Sequence, residues 1–136
     1  MILADSGVFI AAANAKDRHH SDCAQFVRSR NGHILVSPLV IAEVSFMIGK
    51  WGGTSAKAAF LDSFASGSLI LATLTPTDIS RMAEVLRKYA ELDLDAADAS
   101  IIALAERLRI TTIATVDHRD FTVVRPLHTK AFDLVP

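Results

Sequence analysis

Four acidic residues of this chain stand in apolar surroundings: Asp5, Glu43, Asp98 and Asp117. Two of them directly follow apolar, strand-like runs, and the other two fall on the apolar faces of predicted helices. An ionised carboxylate in an apolar environment is costly unless something compensates its charge. The four placements therefore predict a single acidic cluster, and a hard divalent cation held by oxygen ligands would compensate it.

The ligand type selects the metal. A site made only of carboxylate oxygens suits Mg²⁺ or Mn²⁺, whereas zinc is disfavoured because Cys23 is the only cysteine in the chain. Such a metal generates a hydroxide-like nucleophile and stabilises the charge on a phosphodiester during in-line attack. The cluster thus predicts metal-dependent phosphoryl transfer, with one metal or two equally compatible.

Each acid also has a structural interpretation. Asp5 and Asp117 have the positions of turn residues or helix N-caps. Glu43 would be a buried partner of one basic residue, or would lie on a helix face that meets a partner chain. Asp95 and Asp98 have the spacing of a capping box. Because Asp98 shares its helix face with apolar residues, we expect Asp95 to be the cap and Asp98 to belong to the site.

Length and composition bound the fold and the compartment. The chain has 136 residues, 51% of them hydrophobic, and a formal net charge of −1. We expect a single domain over residues 1–136 with a well-filled core, and nucleic-acid binding only through a local basic patch. The single cysteine indicates a reducing compartment. With no secretion signal and no apolar run long enough to cross a bilayer, we expect a cytoplasmic protein without a membrane partner.

Apolar runs alternate with helical patterns, which favours an α/β fold with a mainly parallel sheet. Strands are predicted at Ile2–Ala4, His33–Ser37, Leu69–Leu71, Thr112–Val116 and Thr122–Val124, with a turn at His118–Phe121. Helices are predicted at Val8–Ala13, His20–Arg30, Pro38–Lys50, Thr54–Gly67, Pro76–Leu92 and Asp95–Leu108. Gly52-Gly53 separates two of these helices, and Ser37 caps the first of them.

The stretches that carry the four acids resemble the PIN domain, and more closely the VapC-type toxins of toxin–antitoxin modules. They are Asp5–Ala11, Ser37–Val44, Leu94–Ile101 and Thr115–Phe121, and they occur in the family's order. The resemblance covers nearly the whole chain and leaves no acidic position of the pattern unfilled. It implies an α/β/α sandwich, a homodimer and a Mg²⁺- or Mn²⁺-dependent endoribonuclease.

The resemblance also implies roles for particular residues. Asp5, Asp98 and Asp117 would be the main metal ligands, and Glu43 would either bind the metal or orient water. Ser6 and Thr115 match the small hydroxyl residues beside the first and fourth acids, and would orient a carboxylate or water. A cognate VapB-like antitoxin would lie across the acidic groove, with Pro38–Lys50 and Thr54–Ser66 as candidate contact helices. The RNA substrate would be a transfer RNA or an exposed ribosomal RNA loop.

Basic residues near the acids are candidate phosphate contacts: Lys16, Arg18, His19, His20, Lys50, His118 and Arg119. Other functions stay open at this point. A different Mg²⁺-dependent phosphoryl-transfer enzyme, such as a phosphatase, would use a similar sheet edge, although the acid that a haloacid-dehalogenase-type enzyme needs two residues after Asp5 is replaced by Gly7. A non-catalytic domain would use the acidic groove to bind a basic peptide. A housekeeping RNA-processing or DNA-cleaving nuclease would share the fold.

Overall fold

One parallel sheet lies at the centre of the computed structural model, which describes residues 1–136. Its five strands are arranged in the order β3-β2-β1-β4-β5. They are β1 (Ile2–Ala4), β2 (Ile34–Val36), β3 (Ile70–Leu71), β4 (Thr112–Ala114) and β5 (Asp133–Val135). Leu3 in the central strand pairs with Leu35 on one side and with Ile113 on the other. The predicted parallel sheet is thereby confirmed.

Six helices connect and cover the strands. They are α1 (Ser6–Ala13), α2 (His20–Ser29), α3 (Pro38–Ala65), α4 (Pro76–Lys88), α5 (Ala96–Leu108) and α6 (His118–Val123). Helix α1 packs against α2 and α3, and α4 packs against α5, so the helices form the outer layers of the predicted α/β/α arrangement. None of the helices has the length and apolar character needed to cross a membrane.

The core forms because the middle strands carry uninterrupted apolar residues. All three residues of β2 are buried, as are the last two residues of β1 and of β4. Strands with both faces covered by helices need such runs rather than an alternating pattern. Helix α5 is buried along most of its length, including every residue from Ala99 to Ala105. Cys23 also lies in the core, since this residue has no solvent exposure.

The order of the strands fixes where a site can form. From β1 the chain builds outward through β2 to β3, and it then returns to the other side of β1 to add β4 and β5. The direction of winding therefore reverses between β1 and β4. In open parallel sheets, ligands bind in the crevice beyond the carboxyl ends of the strands at this switch point. Asp5 and Thr115 directly follow these two strands.

Two ion pairs connect α4 to α5. Arg81 makes a bidentate contact with Glu106, at 2.7 and 3.1 Å. Arg107 contacts both carboxylate oxygens of the buried Asp78, at 2.9 and 3.0 Å. Because Asp78 lies in the first turn of α4 and Arg107 in the last turn of α5, these contacts fix the two helices side by side.

The predicted break at Gly52-Gly53 is confirmed. Two helical segments adjoin within α3, and they meet at a kink where Gly53 has the non-helical angles φ 62° and ψ −160°. A residue that carries a side chain rarely adopts this backbone conformation, so a glycine is required at this position. The helix predicted for Pro76–Leu92 is shorter than expected, since α4 ends at Lys88 and a separate 3₁₀ turn covers Ala90–Leu92.

The prediction for the C-terminal part of the chain was wrong. We expected a turn at His118–Phe121 and a strand at Thr122–Val124, but residues 118–123 form α6. The β-branched residues near its end resemble a strand, yet the Asp117 cap and a hydrogen bond of 2.6 Å from Thr122 Oγ1 to the carbonyl of His118 stabilise a helical turn. The last strand is instead β5, which pairs with β4.

Candidate functional site

Asp5 combines a structural role with a position at the switch point. It caps α1, with Oδ1 accepting a hydrogen bond of 2.8 Å from the backbone N–H of Ser6. Its other oxygen, Oδ2, accepts a hydrogen bond of 3.2 Å from Thr115 Oγ1. Both carboxylate oxygens are therefore oriented by the protein, and the N-cap interpretation of Asp5 is confirmed.

Thr115 joins the first acid to the fourth. It follows β4, and its side chain is buried. Its hydroxyl oxygen accepts a hydrogen bond of 3.3 Å from the backbone N–H of Asp117, and its proton is within reach of Asp5 Oδ2 and of the Asp117 carbonyl at 3.1 Å. This geometry agrees with the orienting role that the resemblance implied for Thr115.

Ser6 connects Asp5 to Glu43. Its backbone N–H binds Asp5, as described above, while its side-chain hydroxyl donates to Glu43 Oε1. Glu43 lies on α3 and is half-buried, which agrees with its predicted position on an apolar helix face. No protein donor contacts Glu43 Oε2, so that oxygen is available to a ligand.

Asp98 forms a capping box with Asp95, although the sequence predicted that Asp95 alone would act as the cap. Asp95 Oδ1 accepts from the backbone N–H of Asp98 at 2.8 Å, and Asp98 Oδ2 accepts from the backbone N–H of Asp95 at 3.1 Å. Asp95 is thus the N-cap of α5, as predicted, and Asp98 is the reciprocal member. Asp98 is half-buried, and its Oδ1 has no protein donor, so a capping role leaves one oxygen for a ligand.

The acids affect one another electrostatically. Burial raises the pKa of Asp5 above its usual value, and the negative charges of Glu43 and Asp95 raise it further. Burial is also the main cause that raises the pKa of Asp98 to about 7, with the charges of Asp95 and Asp5 adding to it. Asp95, which the sequence identified only as a cap, therefore contributes to the negative potential of the cluster.

Asp117 stands apart from the other three acids. Its side chain is 62% exposed, caps α6 through a hydrogen bond of 3.2 Å from the backbone N–H of Arg119, and lies 3.6 Å from the Arg119 guanidinium. Its connection to Asp5 runs through Thr115. The structure therefore places Glu43 and Asp98 within electrostatic reach of Asp5 and leaves Asp117 at the rim.

The chemistry of the donor set fits a hard cation, although the side chains are not arranged as a closed metal site. No three of the chain's Asp, Glu, His and Cys residues converge closely enough to hold a metal ion. Two carboxylate oxygens, Glu43 Oε2 and Asp98 Oδ1, have no protein donor, and the cluster contains only oxygen ligands. This is the donor type that Mg²⁺ and Mn²⁺ prefer.

Two positioning features were not recognised in the sequence. Ser37 Oγ and Ser100 Oγ lie 2.7 Å apart in the interior, and link the start of α3 to the first turns of α5. Gly7 is the second, because a Cβ built there would lie 2.6 Å from Val116 Cγ2. A serine at an N-cap and a glycine near a helix start are common, so only the tertiary contacts reveal these roles.

The basic candidates divide into three groups. Lys16, Arg18 and His19 line an open groove together with Asp117. Arg119 is paired with Asp117 and Asp120, at 3.6 and 3.7 Å. The remaining candidates make other contacts: His20 Nδ1 lies 2.9 Å from the carbonyl of Ala11, Lys50 Nζ lies 4.7 Å from the centre of the Phe46 ring, and His118 Nε2 lies 3.1 Å from the carbonyl of Thr115.

Comparison with known proteins identifies the fold and the family. The PIN domain model matches residues 2–125. The chain is 30% identical over 135 residues to Ribonuclease VapC26 of Mycobacterium tuberculosis, with 99% of this chain and 100% of that protein covered. The crystal structure of Mycobacterium tuberculosis VapC20, a sarcin-ricin loop cleaving toxin, superposes with a TM-score of 0.82 at 20% identity, over 96% of this chain and 99% of that one.

A toxin–antitoxin complex from Klebsiella pneumoniae superposes with a TM-score of 0.68 at 18% identity, over 91% of this chain and 92% of that one. The matched region of the family model contains Asp5, Glu43, Asp98 and Asp117. The family model and a VapC ribonuclease each align with most of this chain, and the parallel sheet with acids at its switch point agrees with both. This chain therefore belongs to the PIN-domain family and, within it, to the VapC type.

Proposed function

We propose that this protein is a metal-dependent endoribonuclease that acts as the toxin of a toxin–antitoxin module. One observation carries the proposal: Asp5 lies at the switch point of the sheet within electrostatic reach of Glu43 and Asp98, and Ser6 and Thr115 orient the carboxylates of Glu43 and Asp5. The relative that covers this chain from end to end is a ribonuclease, which supports the same reaction class.

We assign Mg²⁺ or Mn²⁺ to the cluster. Asp5, Glu43 and Asp98 would hold the ion, with Asp117 approaching from the rim. When bound, the ion supplies a water of lowered pKa and positive charge near the phosphodiester oxygens. The free oxygens of Glu43 and Asp98 and the all-carboxylate ligand set support this assignment.

The protein's own residues prepare the reaction by orientation. Thr115 fixes Asp5 Oδ2, and Ser6 fixes Glu43 Oε1, so neither carboxylate has to be ordered when substrate binds. Glu43 Oε2, which no protein donor contacts, would either bind the ion or orient the attacking water. Such preorganisation accelerates a reaction without any group changing place during the chemical step.

The substrate in this proposal is a structured RNA, either a transfer RNA or a ribosomal RNA loop. Unstacked bases in such loops let a protein reach the backbone and the base edges together. A structural neighbour at 20% identity is described as cleaving the sarcin-ricin loop, which supports the ribosomal alternative.

The partner in this proposal is a VapB-like antitoxin, with a second copy of the chain forming a homodimer. An apolar groove lies between α1, α2 and α3, with Phe9, Val27 and Trp51 among its lining residues. Phe46, Trp51 and Leu61 are about half or more exposed on α3. Exposed apolar surface of this kind is typical of protein interfaces, and a toxin–antitoxin complex is among the structural neighbours.

The test is cleavage of total cellular RNA by the purified protein, with Mg²⁺, with Mn²⁺ and with EDTA. Asp98→Asn serves as the matched control, because its side-chain oxygen still accepts the capping hydrogen bond. Discrete fragments that need metal and disappear in the variant are expected, and sequencing them identifies the RNA. Absence of metal-dependent cleavage by folded, antitoxin-free protein would contradict the proposal and would favour peptide binding or phosphatase activity.

A further inference from the structure

The loop between α1 and α2 forms one wall of an open groove whose other wall contains Asp117. The groove has a volume of about 730 Å³ and is lined by Asn14, Lys16, Asp17, Arg18, His19, Val116 and Asp117. This volume is in the range of sites that hold a ligand of drug size, so one nucleotide unit of a longer strand would fit. The groove leads directly to the rim acid of the candidate site.

Hydrogen bonds within the loop hold its backbone in a defined conformation. Asn14 Oδ1 accepts from the backbone N–H of Lys16 at 3.1 Å, and Asp17 Oδ1 accepts from the backbone N–H of His19 at 2.8 Å. The end of the loop is tied to α1 by His20 Nδ1, which lies 2.9 Å from the carbonyl of Ala11. Ordering this loop on binding would therefore cost little additional entropy.

The basic side chains of the loop are exposed, whereas its acidic side chain faces the loop backbone. Lys16 and Arg18 are exposed, and neither forms an ion pair with a carboxylate of the protein. Asp17 is half-buried and its carboxylate binds the loop backbone, as described above. Arg18 Nε donates to His19 Nε2 at 3.1 Å, so its guanidinium keeps its terminal nitrogens free. Two cations are thus available to an anionic ligand.

We propose that Lys16 and Arg18 bind the phosphates of the RNA strand next to the scissile phosphodiester and hold that strand against Asp117. This inference rests on the proposed ribonuclease function and specifies which surface receives the strand. A phosphodiester brought to a cluster of carboxylates is repelled by them, and cations beside the cluster offset this repulsion at the neighbouring phosphates.

The lining favours a nucleic acid over a protein partner. Val116 is the only hydrophobic residue of the groove, whereas protein interfaces depend on apolar and aromatic anchors at their centre. Such anchors are present in the apolar groove between α1, α2 and α3. The two surfaces therefore suit two different occupants.

The test compares two double variants of the full chain in which the same amount of positive charge is removed. Lys16→Gln with Arg18→Gln removes the groove cations, and Arg87→Gln with Lys130→Gln removes two exposed cations elsewhere. The probe is a fluorescein-labelled, single-stranded RNA 20-mer of mixed sequence. Its binding is measured by anisotropy in EDTA over a series of salt concentrations, and gels verify that it stays intact.

We expect the groove variant to bind about fivefold more weakly than wild type. The slope of log affinity against log salt should be smaller by about 0.7 for each phosphate that the variant no longer neutralises. The control variant should match wild type. The inference is overturned if both variants lose affinity for the probe equally, or if neither variant loses affinity.

Two further outcomes separate this inference from the proposed function. Failure of the wild type to bind the probe overturns the inference, whereas the proposed function is contradicted only by the absence of metal-dependent cleavage of cellular RNA. Groove-dependent binding without cleavage in Mg²⁺ or Mn²⁺ supports the inference and contradicts only the proposed cleavage.

Discussion

Ser37 and Ser100 join two helices through a hydrogen bond of 2.7 Å between hydroxyl groups that have no solvent exposure. The protons can be assigned, because Ser100 Oγ donates to the carbonyl of Ala97 at 2.7 Å and Ser37 must then donate to Ser100. Ser37 Oγ in turn accepts from the backbone N–H of Leu39 at 3.2 Å. Since α3 carries Glu43 and α5 carries Asp98, this chain of hydrogen bonds sets the distance between two acids of the site.

Replacing both of these serines should cost less than the sum of the two single replacements. Ser100→Ala leaves the buried hydroxyl of Ser37 without an acceptor, which costs about 1–3 kcal/mol. Ser37→Ala with Ser100→Ala removes both hydroxyls and should be closer to wild type than the sum of the single variants predicts. Urea denaturation of the four proteins measures this coupling. Additive losses in the free energy of unfolding would show that the two hydroxyls act independently.

The role of Asp98 in catalysis can be separated from its role in the capping box. Asp98→Asn keeps an oxygen that accepts from the backbone N–H of Asp95, whereas Asp98→Ala loses it. Both variants should lose cleavage by at least about a hundredfold, since a ligand charge is removed in each. Only the alanine variant should also unfold more easily, by about 1 kcal/mol. Cleavage assays and thermal unfolding check the two effects, and retained cleavage in either variant would remove Asp98 from the site.

Thr115 should act through its hydroxyl, because that group orients Asp5 and is buried. Thr115→Val preserves the shape of the side chain and removes the hydrogen bond, and we expect its kcat to fall about tenfold or more. Thr115→Ser keeps the hydroxyl and should retain most of the activity. If the valine and serine variants have equal kcat values, the hydroxyl has no orienting role.

Gly7 should be required because of its close approach to Val116. The added methyl group of Gly7→Ala would push α1, and with it Asp5 and Ser6, away from the strand end. We expect a loss of about 1–3 kcal/mol of stability from overpacking, together with reduced cleavage. Adding Val116→Ala provides space for the methyl group and should restore part of both properties. No recovery in the double variant would mean that the contact is not the cause.

The ion pair between Asp78 and Arg107 should make stability depend on pH in the acid range. Burial by itself raises the pKa of Asp78, but hydrogen bonds from Arg107 and Thr75 outweigh it, and the net pKa lies below the usual value. A carboxyl group whose pKa is lower in the folded state stabilises the protein at pH values above its ordinary pKa of about 4. This contribution is lost as the pH falls through the lowered folded-state pKa.

Denaturation midpoints of wild type and Asp78→Asn, measured from pH 7 down to pH 3, test this expectation. Asn keeps the capping geometry of α4 but cannot pair with Arg107 as a charge. The variant should be less stable at pH 7, and its stability should change less as the pH falls. Parallel pH curves for the two proteins would contradict a role for this carboxyl group. Glu106 lies on the same surface and contributes with the same sign: burial raises its pKa, but hydrogen bonds from Arg81 and Leu127 lower it overall.

The identity of the elements was largely determined by local sequence. The apolar runs of β1 and β4, the Ser37-Pro38 start of α3 and the capping box at Asp95 are physical signals that act within a few residues, so they could be read without the fold. The same reasoning failed at residues 118–124. There, β-branched residues suggested a strand, but pairing with β4 is made by Asp133–Val135 instead. Strand pairing is a long-range choice that local propensity does not decide.

The sequence also predicted which four acids matter and that they lie at strand ends or on helix faces, because these positions are local properties of the chain. It did not predict their relative positions. The reversal of strand order places Asp5 beside Thr115, and the α1 start brings Ser6 to Glu43. The same packing leaves Asp117 exposed at the rim, beside Lys16 and Arg18. These contacts join residues far apart along the chain, so they depend on how the sheet is wound and how closely the helices pack on it, which only the tertiary structure decides.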